Sequence, residues 1–157
     1  MILTFALALA LQSADKLPPA GPIPAPAFEE ASVLAPINES FRALETGDSA
    51  ALLRYVHPDG KVTAVGPTAN GKSGVRSRSW TEYAANMKPG QGFKERITNP
   101  AIEIDDDIAL VWAPFTIEIG GKIVACGYDH FDMVRENGAW KIMNITFSRR
   151  TTGCPGQ

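Results

Sequence analysis

A chain of 157 residues, 45% hydrophobic and 20% charged, has room for one ordinary domain with a complete core and little else. Its formal net charge of -2, without any cluster of lysines and arginines interleaved with aromatics, excludes the basic surface that a phosphate backbone requires. Nucleic acid is therefore not expected as a partner.

Residues 1–11, MILTFALALAL, are apolar except for Thr4, too short to span a bilayer as a helix, and followed by the small and polar QSADK. That is the profile of a secretory leader over residues 1–14, although no Lys or Arg precedes the apolar run; a lipid-facing anchor and a misplaced start are the competing readings. On the leader reading the mature protein is periplasmic or secreted and free of the membrane. Residues 15–27 contain LPPAGPIPAPA, whose five prolines rule out a helix or central strand and suit an extended tether. The domain proper is expected over residues 28–150, with a tail over 151–157.

Ile37, Phe41 and Leu44 recur at helical spacing and Gly47 follows as a stop, which places Pro36 in the first turn of that helix. Asp48 is a suitable cap for a second helix carrying Leu52, Leu53 and Val56 and ended by HPDG. A strand KVTAV, a glycine-rich turn GPTANGKSG and a third helix VRSRSWTEYAANM follow, with Trp80, Tyr83 and Met87 on one helix face. The turn contains Lys72 and Ser73, but its glycine spacing does not match a phosphate-binding loop.

From Phe93 onward the pattern changes to strands: FKERITNPAIEI, IALVWAPFTIEI, KIVACGYDHFDMV and AWKIMNITFSRR, separated by the turn signals DDD, GG and NG. Helices followed by an antiparallel meander predict an α+β fold with the helices on one face of a curved sheet. Asp105 to Asp107 lack the spaced oxygens of a calcium loop and read as a solvated turn. The sequons at Asn38 and Asn144 lie inside regular elements, where a glycan fits poorly. Cys126 and Cys154 have neither CxxC nor zinc spacing; in an oxidising compartment they are a possible disulfide, in the cytosol two thiols.

His130 and Asp132 are two apart in a strand and so point to the same side of the sheet. They are either a proton-transfer pair or a structural pair, with Asp132 bonded to Arg149. Two ligands do not make a metal site, and the other histidine, His57, follows a helix; no metal or cofactor is expected.

The order of elements and three stretches, ETGDSAALLRYV, SWTEYAANM and FDMVRENGAWKIMNITF, resemble the nuclear transport factor two-like superfamily, which includes ketosteroid isomerase and the SnoaL-like cyclases. The resemblance covers about 120 residues and implies a cone: a curved antiparallel sheet wrapped around N-terminal helices, with a central pocket. Carried over from the isomerase, its oxyanion-hole acid falls on Asp132, while its tyrosine and its general base fall on Ser40 and Ala64. Isomerase chemistry of that type is therefore not expected.

The same comparison implies that Tyr128, His130, Asp132 and Val134 face the cavity on one strand and Ile145, Phe147 and Arg149 on the last. Trp80, Tyr83 and Trp112 complete an aromatic pocket that would suit a small ring-shaped organic molecule. The same aromatics could equally be packed core. Three functions remain open: ligand binding, a lyase or isomerase using His130 and Asp132, and a structural or partner-binding domain. A homodimer is expected through the outer face, where Phe131, Met133 and Met143 would lie.

Overall fold

Val33, Ile37 and Phe41, one helical turn apart, are all buried and define the inner stripe of α1 (Phe28–Thr46). The computed structural model describes residues 28–67, 71–88 and 92–157. The expected leader and linker, residues 1–27, lie outside the described residues.

Pro36 sits inside α1 and not in its first turn, a correction to the sequence reading. Its missing N–H and its ring cost about 3 kcal/mol in a helix interior. Fully buried Val33, one turn upstream, recovers much of that, since burying a valine contributes about 1.5–3 kcal/mol. Gly47 ends α1 at φ 71°, and Asp48 caps α2 (Ser49–Tyr55) by accepting the Ala51 N–H at 2.8 Å.

Val56 and the HPDG stretch, expected in and just after α2, belong instead to β1 (Val56–Pro67). The stretch VRSRS, expected as helix, forms β2 (Ser73–Ser79) and pairs antiparallel with β1. The third helix is therefore short: α3 spans Trp80–Ala85. The reason is a capping box, in which Ser79 Oγ accepts from Glu82 N–H and the Glu82 carboxylate accepts from Ser79 N–H at 2.9 Å, fixing the helix start at Ser79.

The remaining strands are β3 (Phe93–Ile97), β4 (Ala101–Asp105), β5 (Ile108–Ile119), β6 (Lys122–Glu136) and β7 (Ala139–Ser148). The expected single strand FKERITNPAIEI is broken in two near Pro100, with Asn99 at φ 46°. The β6–β7 turn has positive φ at both Asn137 (53°) and Gly138 (77°), as a tight type I′ hairpin requires.

The strands form one sheet of seven in the order β2-β1-β7-β6-β5-β3, with β4 also on β5. It is mixed, not wholly antiparallel as expected, because β1 runs parallel to β7. Register shifts within the β1–β7, β5–β6 and β6–β7 pairs bend the strands, so the open sheet curves over the helices. The concave face carries Val111, Phe131, Met133 and Ile142, packed with Val33, Ile37 and Leu52 in one core, and Phe41 meets Phe131 edge-on at 6.2 Å.

Beyond β7 the chain returns to β6. Arg150 and Cys126 exchange backbone hydrogen bonds of 2.9 and 3.0 Å, and Cys126 is disulfide-bonded to Cys154 across a Cα separation of 5.6 Å.

Candidate functional site

Trp80 opens α3, and its indole N–H donates to the Met143 carbonyl at 3.0 Å, which fixes the ring over the sheet. Tyr83, one turn on, meets Trp80 edge-on at 6.1 Å. Beneath them is a cavity of about 140 Å³. Its helix side is Ser40, Phe41, Leu44, Trp80 and Tyr83; its sheet side includes Val62, Glu95, Phe131, Ile145, Phe147 and Arg149. Ser40 Oγ donates to the Pro36 carbonyl at 2.8 Å and is thereby already satisfied. A vestibule of about 270 Å³ shares Leu44, Tyr83 and Phe93 with this cavity and is flanked by Arg78, Asn86 and Lys88.

The expected pocket residues divide into two groups. Trp80, Tyr83, Phe147 and Arg149 line the interior, as the sequence reading placed them. Trp112, Tyr128, His130 and Asp132 lie together on the convex face, so the expected inward face of β6 is off by one residue. On β6 from Tyr128 onward the buried positions are Asp129, Phe131 and Met133, and on β5 they are Ala109, Val111, Ala113 and Phe115. The physical reason is the two-residue period of a strand: apolar Phe131 and Met133 take the core side, which turns His130 and Asp132 outward. Phe131 and Met133, expected on the outer face, are therefore core. On β7 the register shift falls at Met143, so Ile142 and Ile145 are both buried, and Ile145 and Phe147 line the cavity.

On the convex face Trp112 stacks on Tyr128 at 5.2 Å and leans on His130 at 6.1 Å. His130 Nε2 lies 3.5 Å from Asp132 Oδ1, whose other oxygen accepts from Asn144 Nδ2 at 3.1 Å. Trp112 is 48% exposed, and Leu110 and Ile108 flank it toward β4. His130 and Asp132 thus lie outside the cone, where with Ile104, Ile108 and Leu110 they line an open depression of about 500 Å³ beside the exposed aromatics. Among the described residues no three His, Cys, Asp or Glu side chains converge to hold a metal.

The interior contains acids that the sequence reading missed. Glu95 of β3 lines the cavity, and burial raises its carboxyl to about 7. Asp129 of β6, fully buried with both carboxylate oxygens lacking hydrogen-bond partners, is raised to about 9 by burial first and by Glu95 second. Burial, then Glu95 and Asp129, also raise the Tyr83 phenol. Burial thus favours the neutral form of both acids and of the phenol; of these, Glu95 and Tyr83 line the cavity and are able to donate to or exchange protons with a bound molecule. The signal was available: Phe93, Glu95 and Ile97 share one strand face, as do Asp129, Phe131 and Met133. Arg76 and Arg78 of β2 also point inward, being paired with Ala64 and Val62, and were hidden by the helical reading of VRSRS.

Residues 28–148 match the model of a family described as "Putative lumazine-binding". The chain belongs to this family. Among solved structures, this lumazine-binding-type domain is similar to a protein of unknown function with a cystatin-like fold from Nostoc punctiforme, at 13% identity and TM-score 0.65 over 85% of this chain and 98% of that one. It is also similar to an NTF2-like protein of unknown function from Methylobacillus flagellatus, at 19% identity and TM-score 0.58 over 80% of this chain and 95% of the other. A third is described as a putative aromatic ring hydroxylase from Novosphingobium aromaticivorans, at 20% identity and TM-score 0.57 over 75% and 86%. Identities at this level show the fold, which is the nuclear transport factor two-like cone. No curated protein matches the chain.

Proposed function

We propose that the domain binds a small planar organic molecule in the interior cavity between α1, α3 and the concave sheet. The observation that carries this reading is the cavity's composition: aromatic and aliphatic walls around a few polar groups, of which Glu95 and Arg149 make no ion pair among the described residues. A fused heterocycle such as lumazine, with ring N–H donors and carbonyl acceptors, would offer partners to both. Titration of lumazine against the purified domain, followed by native mass spectrometry, tests the reading. A bound mass that disappears in Val62→Phe, which fills the cavity, supports it; a bound mass unaffected by that substitution contradicts it.

A second reading is proton-transfer catalysis on a carbonyl compound. It is favoured by Glu95, whose carboxyl titrates near neutrality inside the cavity, and it moves the expected lyase or isomerase chemistry from His130 and Asp132 to the interior. Deuterium exchange at the α-carbon of a bound ketone, lost in Glu95→Gln, would identify it.

Export and self-association belong to the same proposal. The Cys126–Cys154 bond suits an oxidising compartment, which supports a periplasmic or secreted location. Val65, Val75, Ile108, Leu110, Trp112 and Tyr128 are exposed on the convex face, and an apolar face of this kind supports a homodimer.

A further inference from the structure

A cationic side chamber borders the interior cavity. Arg76 and Arg78 stand beside Ala64 and Val62 in the β1–β2 ladder and share their inward face. With Tyr83 and Phe147 the half-buried Arg76 and the exposed Arg78 line a pocket of about 100 Å³, and Val62, Tyr83 and Phe147 are also walls of the interior cavity. Arg76 Nη1 is buried without a hydrogen-bond partner. Neither Arg76 nor Arg78 takes part in an ion pair among the described residues, although Glu95 and Asp129 are buried in the same concave interior. A buried guanidinium N–H left unpaired is costly, and its natural partner is an anion whose two oxygens match the guanidinium fork.

Resting on the ligand-binding reading above, we infer that the ligand is an aromatic carboxylate, with its ring in the interior cavity and its carboxylate in the side chamber on Arg76 and Arg78. A planar, singly charged group fits a chamber of this size.

Calorimetric titration of benzoate, isosteric benzamide and lumazine at pH 6 tests this. Benzoate should bind at least about tenfold more tightly than benzamide, and Arg76→Gln and Arg78→Gln should erase that preference while changing benzamide affinity by less than about twofold. Arg76→Lys, which keeps the charge and loses the fork, should restore part of it. Thermal melting of each variant establishes that it is folded. Equal affinities for benzoate and benzamide in the unsubstituted protein, or a preference that survives both Gln variants, would overturn the inference. If lumazine binds and benzoate does not, the inference fails and the binding reading stands. If none of the three binds, both fail.

Discussion

Glu95 of β3 and Asp129 of β6 are buried in the same interior, close enough that charge on Glu95 raises the proton affinity of Asp129. Both folded-state values, about 7 and about 9, lie above those of an unfolded chain, near 4. The folded state therefore binds more protons than the unfolded state between about pH 4 and pH 9, and these groups lower stability as pH rises through that window. Asp129→Asn removes the larger contribution. It should raise the stability of the protein at pH 8 and have little effect at pH 4, as read from urea unfolding at the two values. Equal effects at both would mean that Asp129 does not titrate in this window.

The cone and its last hairpin were legible in the sequence because they rest on local signals: helical spacing in α1, the Asp48 cap and the Asn137-Gly138 turn. Pro36 lies inside α1 and not at its start because the buried stripe begins at Val33, one turn before Ile37. The cavity was half legible. Trp80 and Tyr83 are placed by the capping box at Ser79, a local device, whereas the facing of β6 depends on which side of the strand meets the core. There the alternation of Phe131 and Met133 with His130 and Asp132 held the answer, and the isomerase comparison pointed the other way. Glu95 and Asp129 were missed because charged residues on an apolar strand face look like exceptions to be explained away.

The convex face makes a separate prediction. If Trp112 and Tyr128 cover a second copy of the chain, Trp112→Lys should convert a dimer to a monomer in light scattering while the far-ultraviolet dichroism is unchanged. His130→Ala, also on this face, should change the affinity of a cavity ligand by less than about twofold. A larger loss with His130→Ala would place the ligand outside the cone.

Gly60 lies where β1 passes close against β7: a Cβ there would come within 1.6 Å of the Met143 carbonyl oxygen and 2.8 Å of Trp80 Nε1. Those are the two atoms of the bond that seats Trp80 over the cavity. Gly60→Ala should therefore destabilise the fold by about 1–3 kcal/mol and shift the Trp80 fluorescence. An unchanged midpoint in urea would show that this approach is looser than described.

The Cys126–Cys154 bond closes a segment of 28 residues, for which chain entropy predicts about 2–4 kcal/mol of stabilisation. Reduction should lower the unfolding midpoint by a corresponding amount, and Cys154→Ser should reproduce the effect without reductant. A reduced protein that unfolds at the same point would remove the disulfide from the account of stability and weaken the case for export.

Ligand binding by this domain requires the ligand to lie inside the cone. A proton–nitrogen correlation spectrum recorded during titration with benzoate tests this most directly, because Trp80 and Trp112 report on opposite faces of the sheet. The account predicts that the Trp80 indole N–H and the amides of Glu95, Phe131 and Ile145 shift while Trp112 and His130 do not. Shifts confined to Trp112, Tyr128 and His130, with Trp80 unmoved, would contradict it.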